Sequence, residues 1–245
     1  MPATRFVRTP SGRGRPNGAR RGFTLLETAL TTVIIGVGVL AMVEAQQAFL
    51  QRNSWSTNAS TATYLANEIR ELTARLSRHD RFTGGIFFTN PDDASTFTGW
   101  GRESGETSEA DLDDIDDFDG AVFGSATNFP AGFTMSARYP GPMNSLRELI
   151  PEVQWDGSVE TFVPPGETDP VATPLRGWTQ IVTVDKVDPY NITSVVADNT
   201  ETKQGSTVLR RVDRYPLRVT VTAMWQPDPA TPAVAVASTT WVVMP

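Results

Sequence analysis

Residues 20–43 read RRGFTLLETALTTVIIGVGVLAMV, and this stretch decides the fold of the N-terminal part of the chain. Its 21 residues from Phe23 to Val43 include one charged side chain, that of Glu27. At 1.5 Å per residue they form a helix of roughly 31 Å, enough to cross the hydrocarbon core of a bilayer. The sequence therefore predicts one membrane-spanning helix over residues 23–44, and no other stretch is apolar enough for a second.

Charge is distributed unevenly on the two sides of this helix. Residues 1–22 contain six arginines and no acidic residue, whereas the other 223 residues carry 15 basic and 28 acidic groups. The whole chain has a net charge of −7, and the part after residue 22 has −13. Arginines directly before the apolar run predict a cytoplasmic N-terminus. Because the rest of the chain is acidic and repels phosphates, we expect no nucleic-acid partner.

An amphipathic segment over residues 45–79 is predicted to continue the helix. No proline interrupts the chain between Pro16 and Pro91. Apolar residues recur at helical spacing on one face: Trp55, Ala62, Leu65, Ile69, Leu72 and Leu76. We expect a single helix from about Phe23 to about Arg78, whose second half packs on a sheet. Residues 1–22, rich in Gly, Pro and Arg, are predicted to be a disordered leader.

The remaining residues, 80–245, are predicted to form a soluble, β-rich domain. Alternating apolar residues indicate strands, and a proline-rich turn over 227–232 indicates that the last two strands form an antiparallel hairpin. The predicted strands cover residues 177–186, 214–225 and 233–244, with a further one over 206–212 and a surface loop over 163–174. The fold class is therefore α+β, with a long N-terminal helix packed on an antiparallel β-sheet.

An acidic segment, residues 103–120, is the most unusual feature of this domain. It carries nine carboxylates: Glu103, Glu106, Glu109, Asp111, Asp113, Asp114, Asp116, Asp117 and Asp119. Such a cluster repels itself unless water or cations screen it, and hard oxygen ligands suit Ca²⁺. The three-residue spacing of Leu112, Ile115 and Phe118 indicates an anchored turn or a short helix.

Two interpretations of the acidic segment stay open at this point. One is a solvated loop or a subunit-contact surface. The other is a calcium site, for which the candidate ligands are Asp114, Asp116, Asp117 and Asp119. The segment does not follow the EF-hand pattern, because the glycine at Gly120 would place Ile115 at the first ligand position.

The junction Arg20–Glu27 resembles the prepilin cleavage and methylation motif of type IV pilins and type II secretion pseudopilins. That motif has a basic leader, a glycine, a phenylalanine and then a glutamate four residues later, opening a long apolar helix, and every element is present. The resemblance implies cleavage between Gly22 and Phe23 by a prepilin peptidase, with N-methylation of Phe23. It also implies that Glu27 pairs with the Phe23 amine of a neighbouring subunit during assembly. The aspartate-rich segment resembles minor pilins of the mannose-sensitive haemagglutinin type.

The resemblance implies a minor pilin or pseudopilin, which is a structural subunit of a type IV pilus (a fimbrium) or of a protein-secretion pseudopilus. It implies a single-pass protein of the inner membrane that moves into a periplasmic pseudopilus or a cell-surface pilus. Other pilins would be its partners through the N-terminal helix. A calcium-dependent tip adhesin is the alternative, and a membrane-anchored periplasmic enzyme is a remote one. With no cysteine and one histidine, the chain offers no recognisable catalytic constellation, so we expect neither enzymatic activity nor a cofactor other than Ca²⁺.

Overall fold

The computed structural model describes residues 24–80 and 85–245 and divides the chain into two compact units, Met1–Arg52 and Asn53–Pro245. The predicted leader and the Gly22–Phe23 junction lie outside the described residues. One helix, α1 (Leu25–Thr73), opens the described chain. Among the residues described, α1 alone is long and apolar enough to cross a membrane, although a signal sequence has the same properties. This confirms the expectation of one long apolar helix near the N-terminus.

Every described residue of the first unit is exposed. The large apolar side chains of its apolar run have exposed fractions between 44% at Val43 and 87% at Leu25. Apolar surface on this scale is costly in water. No other part of the described chain covers these side chains, so the segment is favoured in an apolar environment.

In the second unit, α1 ends earlier than the sequence pattern predicted. The helix stops at Thr73, not near Arg78. The Thr73 hydroxyl donates to the carbonyls of Ile69 and Arg70, and the Arg75 and Leu76 amides donate to carbonyls three residues earlier. Ser77 then forms a parallel β-bridge with Asp114. The chain leaves the helix because residues 74–79 pair with the acidic segment, a tertiary interaction that helical periodicity does not report.

Within residues 85–245, twelve strands follow the helix. In chain order they are β1 (Phe87–Phe88), β2 (Phe97–Thr98), β3 (Ala121–Phe123), β4 (Ala137–Tyr139), β5 (Thr161–Phe162), β6 (Val171–Ala172), β7 (Trp178–Asp188), β8 (Asn191–Val195), β9 (Thr202–Gln204), β10 (Thr207–Arg210), β11 (Leu217–Trp225) and β12 (Val234–Val243). The main sheet has the order β12-β11-β7-β3-β4, with β8 paired to one end of β7. Its pairs are antiparallel except β3–β4, which is parallel.

The long strands match the sequence prediction, including the β11–β12 hairpin, whose register runs from Leu217 opposite Val243 to Trp225 opposite Val234. The predicted further strand is present as the shorter β10. The α+β class is therefore confirmed. The short strands β3 and β4 were not predicted, and they make the sheet mixed rather than purely antiparallel.

Helix α1 packs on one face of the main sheet within the second unit. Ala66, Ile69 and Leu72 join a core cluster with Val182 and Val184 of β7. The prediction of a buried helical face is confirmed from Ala62 onward. Trp55 was expected on this face, but it is 71% exposed because the buried stretch begins only at Ala62.

Two polar side chains, those of Gln180 and Lys186, are buried on one face of β7. Gln180 is fully buried and joins three elements, because its amide donates to the carbonyls of Leu65 and Met143 while its oxygen accepts from the Met143 amide. Lys186 is also fully buried, and it donates to the Asp198 carbonyl. Both polar groups are thus hydrogen-bonded, as burial requires.

Gly124 ends β3 at a point where the backbone has no room for a side chain. Its φ of +138° lies outside the range that L-residues favour. A Cβ atom there would lie 2.5 Å from the Thr179 Oγ1 atom and 2.6 Å from the Trp178 carbonyl oxygen. Gly132 also has positive φ (+84°), but a Cβ atom on it would meet nothing within 4 Å.

We predict that Gly124→Ala destabilises the protein by about 1–3 kcal/mol more than Gly132→Ala. Both variants carry the backbone strain of positive φ, and only Gly124→Ala adds overlap with the chain of β7. Chemical unfolding of the two variants measures the difference. Equal losses in the free energy of unfolding would contradict the close approach of β3 to β7.

Candidate metal centre

The acidic segment is built into the core and is not a solvated loop. Leu112, Ile115 and Phe118 are at most 1% exposed and belong to the main core cluster. A single turn of 3₁₀-helix, Asp116–Phe118, brings the last two onto one side. The predicted anchored turn is therefore confirmed, and the alternative of a solvated loop is wrong for Asp114, Asp116 and Asp117.

Three aspartates become buried because they lie between these apolar anchors. Asp114, Asp116 and Asp117 are at most 1% exposed. The Ile115 amide donates to the Ser77 carbonyl at 3.0 Å, which fixes the segment against the chain leaving α1. A buried carboxylate costs several kcal/mol unless it is paired, hydrogen-bonded or protonated.

Asp116 is held by hydrogen bonds. Its Oδ1 atom lies 2.8 Å from His79 Nδ1, and its Oδ2 atom accepts from the Gly101 amide at 3.2 Å. Burial first, and then the neighbouring Arg78 and Lys186, lower the pKa of His79 to about 3. An imidazole with so low a pKa is neutral near pH 7, so the His79–Asp116 contact is a hydrogen bond of a neutral ring and not an ion pair.

Asp119 is also held by hydrogen bonds, and it joins the acidic segment to the sheet. Its Oδ1 atom accepts from the Val184 amide at 3.0 Å, and its Oδ2 atom lies 3.4 Å from Trp100 Nε1. The next residue, Gly120, has φ of +71°, and a Cβ there would lie 2.4 Å from the Thr134 carbonyl oxygen. The Asp119–Gly120 pair thus turns the chain into β3.

Asp117 lies at the meeting point of two groups of carboxylates. In one group, single oxygens of Glu103, Glu106 and Asp117 all lie within 4.8 Å of one another. In the other, oxygens of Asp113, Asp114 and Asp117 do so. Spacings of this kind allow several oxygens to reach one cation, so the arrangement is that of a candidate hard-metal centre.

The hydrogen bonds of Asp117 satisfy only one of its two oxygens. The Oδ2 atom accepts from the amides of Asp113 and Asp114, at 3.0 and 3.1 Å. The Oδ1 atom is buried and has no hydrogen-bond partner, and the same is true of Glu103 Oε2. Both orphaned oxygens belong to the group formed with Glu106.

Ionisation of these groups is unfavourable in the protein alone. Burial, with Asp114 as the next cause, raises the pKa of Asp117 to about 9. Burial, with Asp116 next, raises the pKa of Asp114 to about 9. Burial, with Glu106 next, raises the pKa of Glu103 to about 7. A cation would favour the ionised forms and reverse these shifts.

The structure separates the four calcium ligands that were predicted from the sequence. Asp114 and Asp117 belong to one carboxylate group. Asp116 contacts the Asp114 side chain but is held by His79, and Asp119 is held by the Val184 amide. Sequence reasoning missed Asp113 and the pair Glu103 and Glu106 as members of the site. The i,i+3 spacing of the two glutamates within the acidic segment was the available signal.

Comparisons with protein-family models, with curated proteins and with solved structures found no match to this chain. The site is therefore characterised by its own geometry.

We predict that Asp119→Ala destabilises the protein by about 1–3 kcal/mol, because it leaves the Val184 amide without its acceptor. Asp119→Asn keeps an oxygen that can accept this hydrogen bond, so its cost should be clearly smaller. Urea unfolding of both variants tests this structural role. Similar losses in the free energy of unfolding for the two substitutions would contradict it.

Proposed function

We propose that this protein is a minor pilin or pseudopilin, a structural subunit that assembles through its N-terminal helix. The observation that carries the proposal is the exposed apolar part of α1, which has Glu27 in its first turn and follows the Gly22–Phe23 junction. A soluble enzyme has no use for such a segment. A filament subunit needs it twice, first in lipid and then against the same segment of other subunits.

The start of α1 supports the proposed role of Glu27. The Glu27 amide lies 3.3 Å from the Thr24 hydroxyl, an N-capping contact that fixes the helix start just after the junction. Glu27 is therefore one turn from the amine that cleavage before Phe23 would create. A negative charge is favourable at this end of a helix, but within an apolar bundle it still needs a cationic partner.

Pairing between subunits would solve two electrostatic problems together. The Phe23 amine of one subunit and the Glu27 carboxylate of the next would each be costly alone in a medium of low dielectric constant. Bringing them together removes both costs and sets the axial offset between neighbouring helices. The acidic part of the chain, with its net charge of −13 after residue 22, would then face outward into water.

The size of the predicted soluble domain supports a subunit that is present in few copies per filament. The predicted soluble domain covers residues 80–245, which is large for a subunit that must repeat along a filament. We therefore favour a tip or priming subunit of a type IV pilus or of a type II secretion pseudopilus. Prepilin peptidase and the other pilins of the same machine are the proposed partners.

The experiment that tests this function is Glu27→Leu in the native host. Removing one member of a buried ion pair costs about 3–5 kcal/mol, so the amount of protein that co-purifies with the other filament subunits should fall more than about tenfold. Insertion into the membrane and cleavage of the leader should continue, because the new leucine is more apolar. Immunoblotting of membrane and filament fractions measures both effects.

Glu44→Leu is the matched control, since Glu44 lies in the same helix just after the apolar run. It should leave incorporation unchanged. Normal incorporation of the Glu27→Leu variant would refute the assembly role of Glu27.

A further inference from the structure

We propose that Glu103, Glu106 and Asp117 form a Ca²⁺ site that stabilises the acidic segment, with Asp113 and Asp114 as the second group of carboxylates around Asp117. The inference goes beyond the proposed function, because it holds whether or not the protein assembles into a filament. It rests on geometry within the second unit alone.

The first step is the close approach of like charges. Oxygens of Glu103, Glu106 and Asp117 converge within 4.8 Å, and Asp117 is shared with the group that contains Asp113 and Asp114. Five carboxylates in two overlapping groups repel one another strongly at these distances, and more so away from water. An arrangement of this kind is stable when something positive lies between the oxygens.

The second step is the orphaned oxygen at the centre. Asp117 is fully buried, its Oδ2 atom accepts two backbone amides, and its Oδ1 atom has no partner. Glu103 contributes a second buried oxygen without a partner, Oε2. Native proteins rarely leave such atoms unsatisfied, and an ion is one of the ordinary explanations. The two residues that carry these oxygens belong to the same group of three carboxylates, and we therefore assign the ion to that group.

The third step is that no described basic side chain neutralises the group. The salt bridges within residues 24–80 and 85–245 involve other acidic residues: Glu160, Glu201, Asp213 and Asp185. Arg147 lowers the pKa of Asp113, but Asp113 is exposed and its pKa is still raised on balance by burial and by other carboxylates. A cation from solution is therefore the group that would allow Asp117 to ionise.

Calcium is the cation that fits these donors best. Every donor is a carboxylate oxygen, and Ca²⁺ accepts six to eight oxygens in irregular geometry. Mg²⁺ requires near-octahedral geometry and keeps much of its water, which suits a crowded carboxylate group poorly. Nitrogen and sulfur ligands that would select transition metals are not part of the group.

The test uses the full chain in detergent micelles, freed of metal with EDTA, and follows the melting temperature as Ca²⁺ is added. At a free concentration 100 times the dissociation constant, binding to the folded state contributes about 2.7 kcal/mol. For a chain of this size the melting temperature should then rise by about 5–10 °C. Mg²⁺ at the same concentration should produce a much smaller rise.

Asp117→Asn is the decisive variant. Its amide oxygen can still accept the Asp113 and Asp114 amides, and its NH₂ group can donate to the neighbouring glutamates. Without calcium its melting temperature should therefore be no lower than that of the wild type, while the calcium response is lost. Glu106→Gln, at the more accessible side of the group, should also lose most of the response, which keeps the test valid if Asp117→Asn folds poorly.

Asp111→Asn is the matched control. Asp111 lies in the same segment, but its carboxylate accepts from Ser108 and Thr107 and belongs to neither carboxylate group. This variant should keep the full calcium response. No calcium response in the wild type, an equal response to Mg²⁺, or a full response in both Asp117→Asn and Glu106→Gln would overturn the proposal.

Discussion

The insertion of Leu112, Ile115 and Phe118 into the core is the constraint on which the rest of the second unit depends. Burying three large apolar side chains contributes several kcal/mol, but their three-residue spacing carries Asp114, Asp116 and Asp117 inside with them. The segment then fixes the chain on both sides of it. Before it, α1 ends at Thr73, and Ser77 has left the helix to form a β-bridge with Asp114 and to accept from the Ile115 amide. After it, Asp119 and Gly120 turn the chain into β3.

The long elements could be predicted from the sequence, because local pattern decides them. Apolar and polar residues alternate along β7, β11 and β12 over nine to eleven residues. A proline-rich turn indicates the hairpin formed by β11 and β12. The long apolar helix near the N-terminus could also be predicted, because its run of apolar residues is local. The junction motif before it stays a prediction. The three-residue strands β3 and β4 were not predictable, since a strand of that length has too few residues to show a period. The parallel pairing of β3 with β4 depends on tertiary packing, which local sequence patterns do not show.

The candidate site could be predicted only in part. The acidic composition was enough to locate the segment. Nine carboxylates, however, indicated a solvent-exposed loop rather than a part of the core. Which of these carboxylates remain available to a cation depends on which backbone amides donate to each one. Asp116 and Asp119 are used by His79 and Val184, which lie 37 and 65 residues away in the chain. Asp117, by contrast, is left with a free oxygen beside two glutamates. The acidic segment thus organises the sheet domain, whereas the apolar part of α1 is proposed to contact lipid and other subunits.

The measurement that tests the central functional claim most directly is the mass of the mature N-terminus. The protein would be isolated from its native host, and its N-terminal peptide analysed by mass spectrometry. The account predicts a chain that begins at Phe23 and carries one methyl group on its amine, with residues 1–22 removed. A mature chain that begins at Met1, at any residue other than Phe23, or at an unmethylated Phe23 would contradict it.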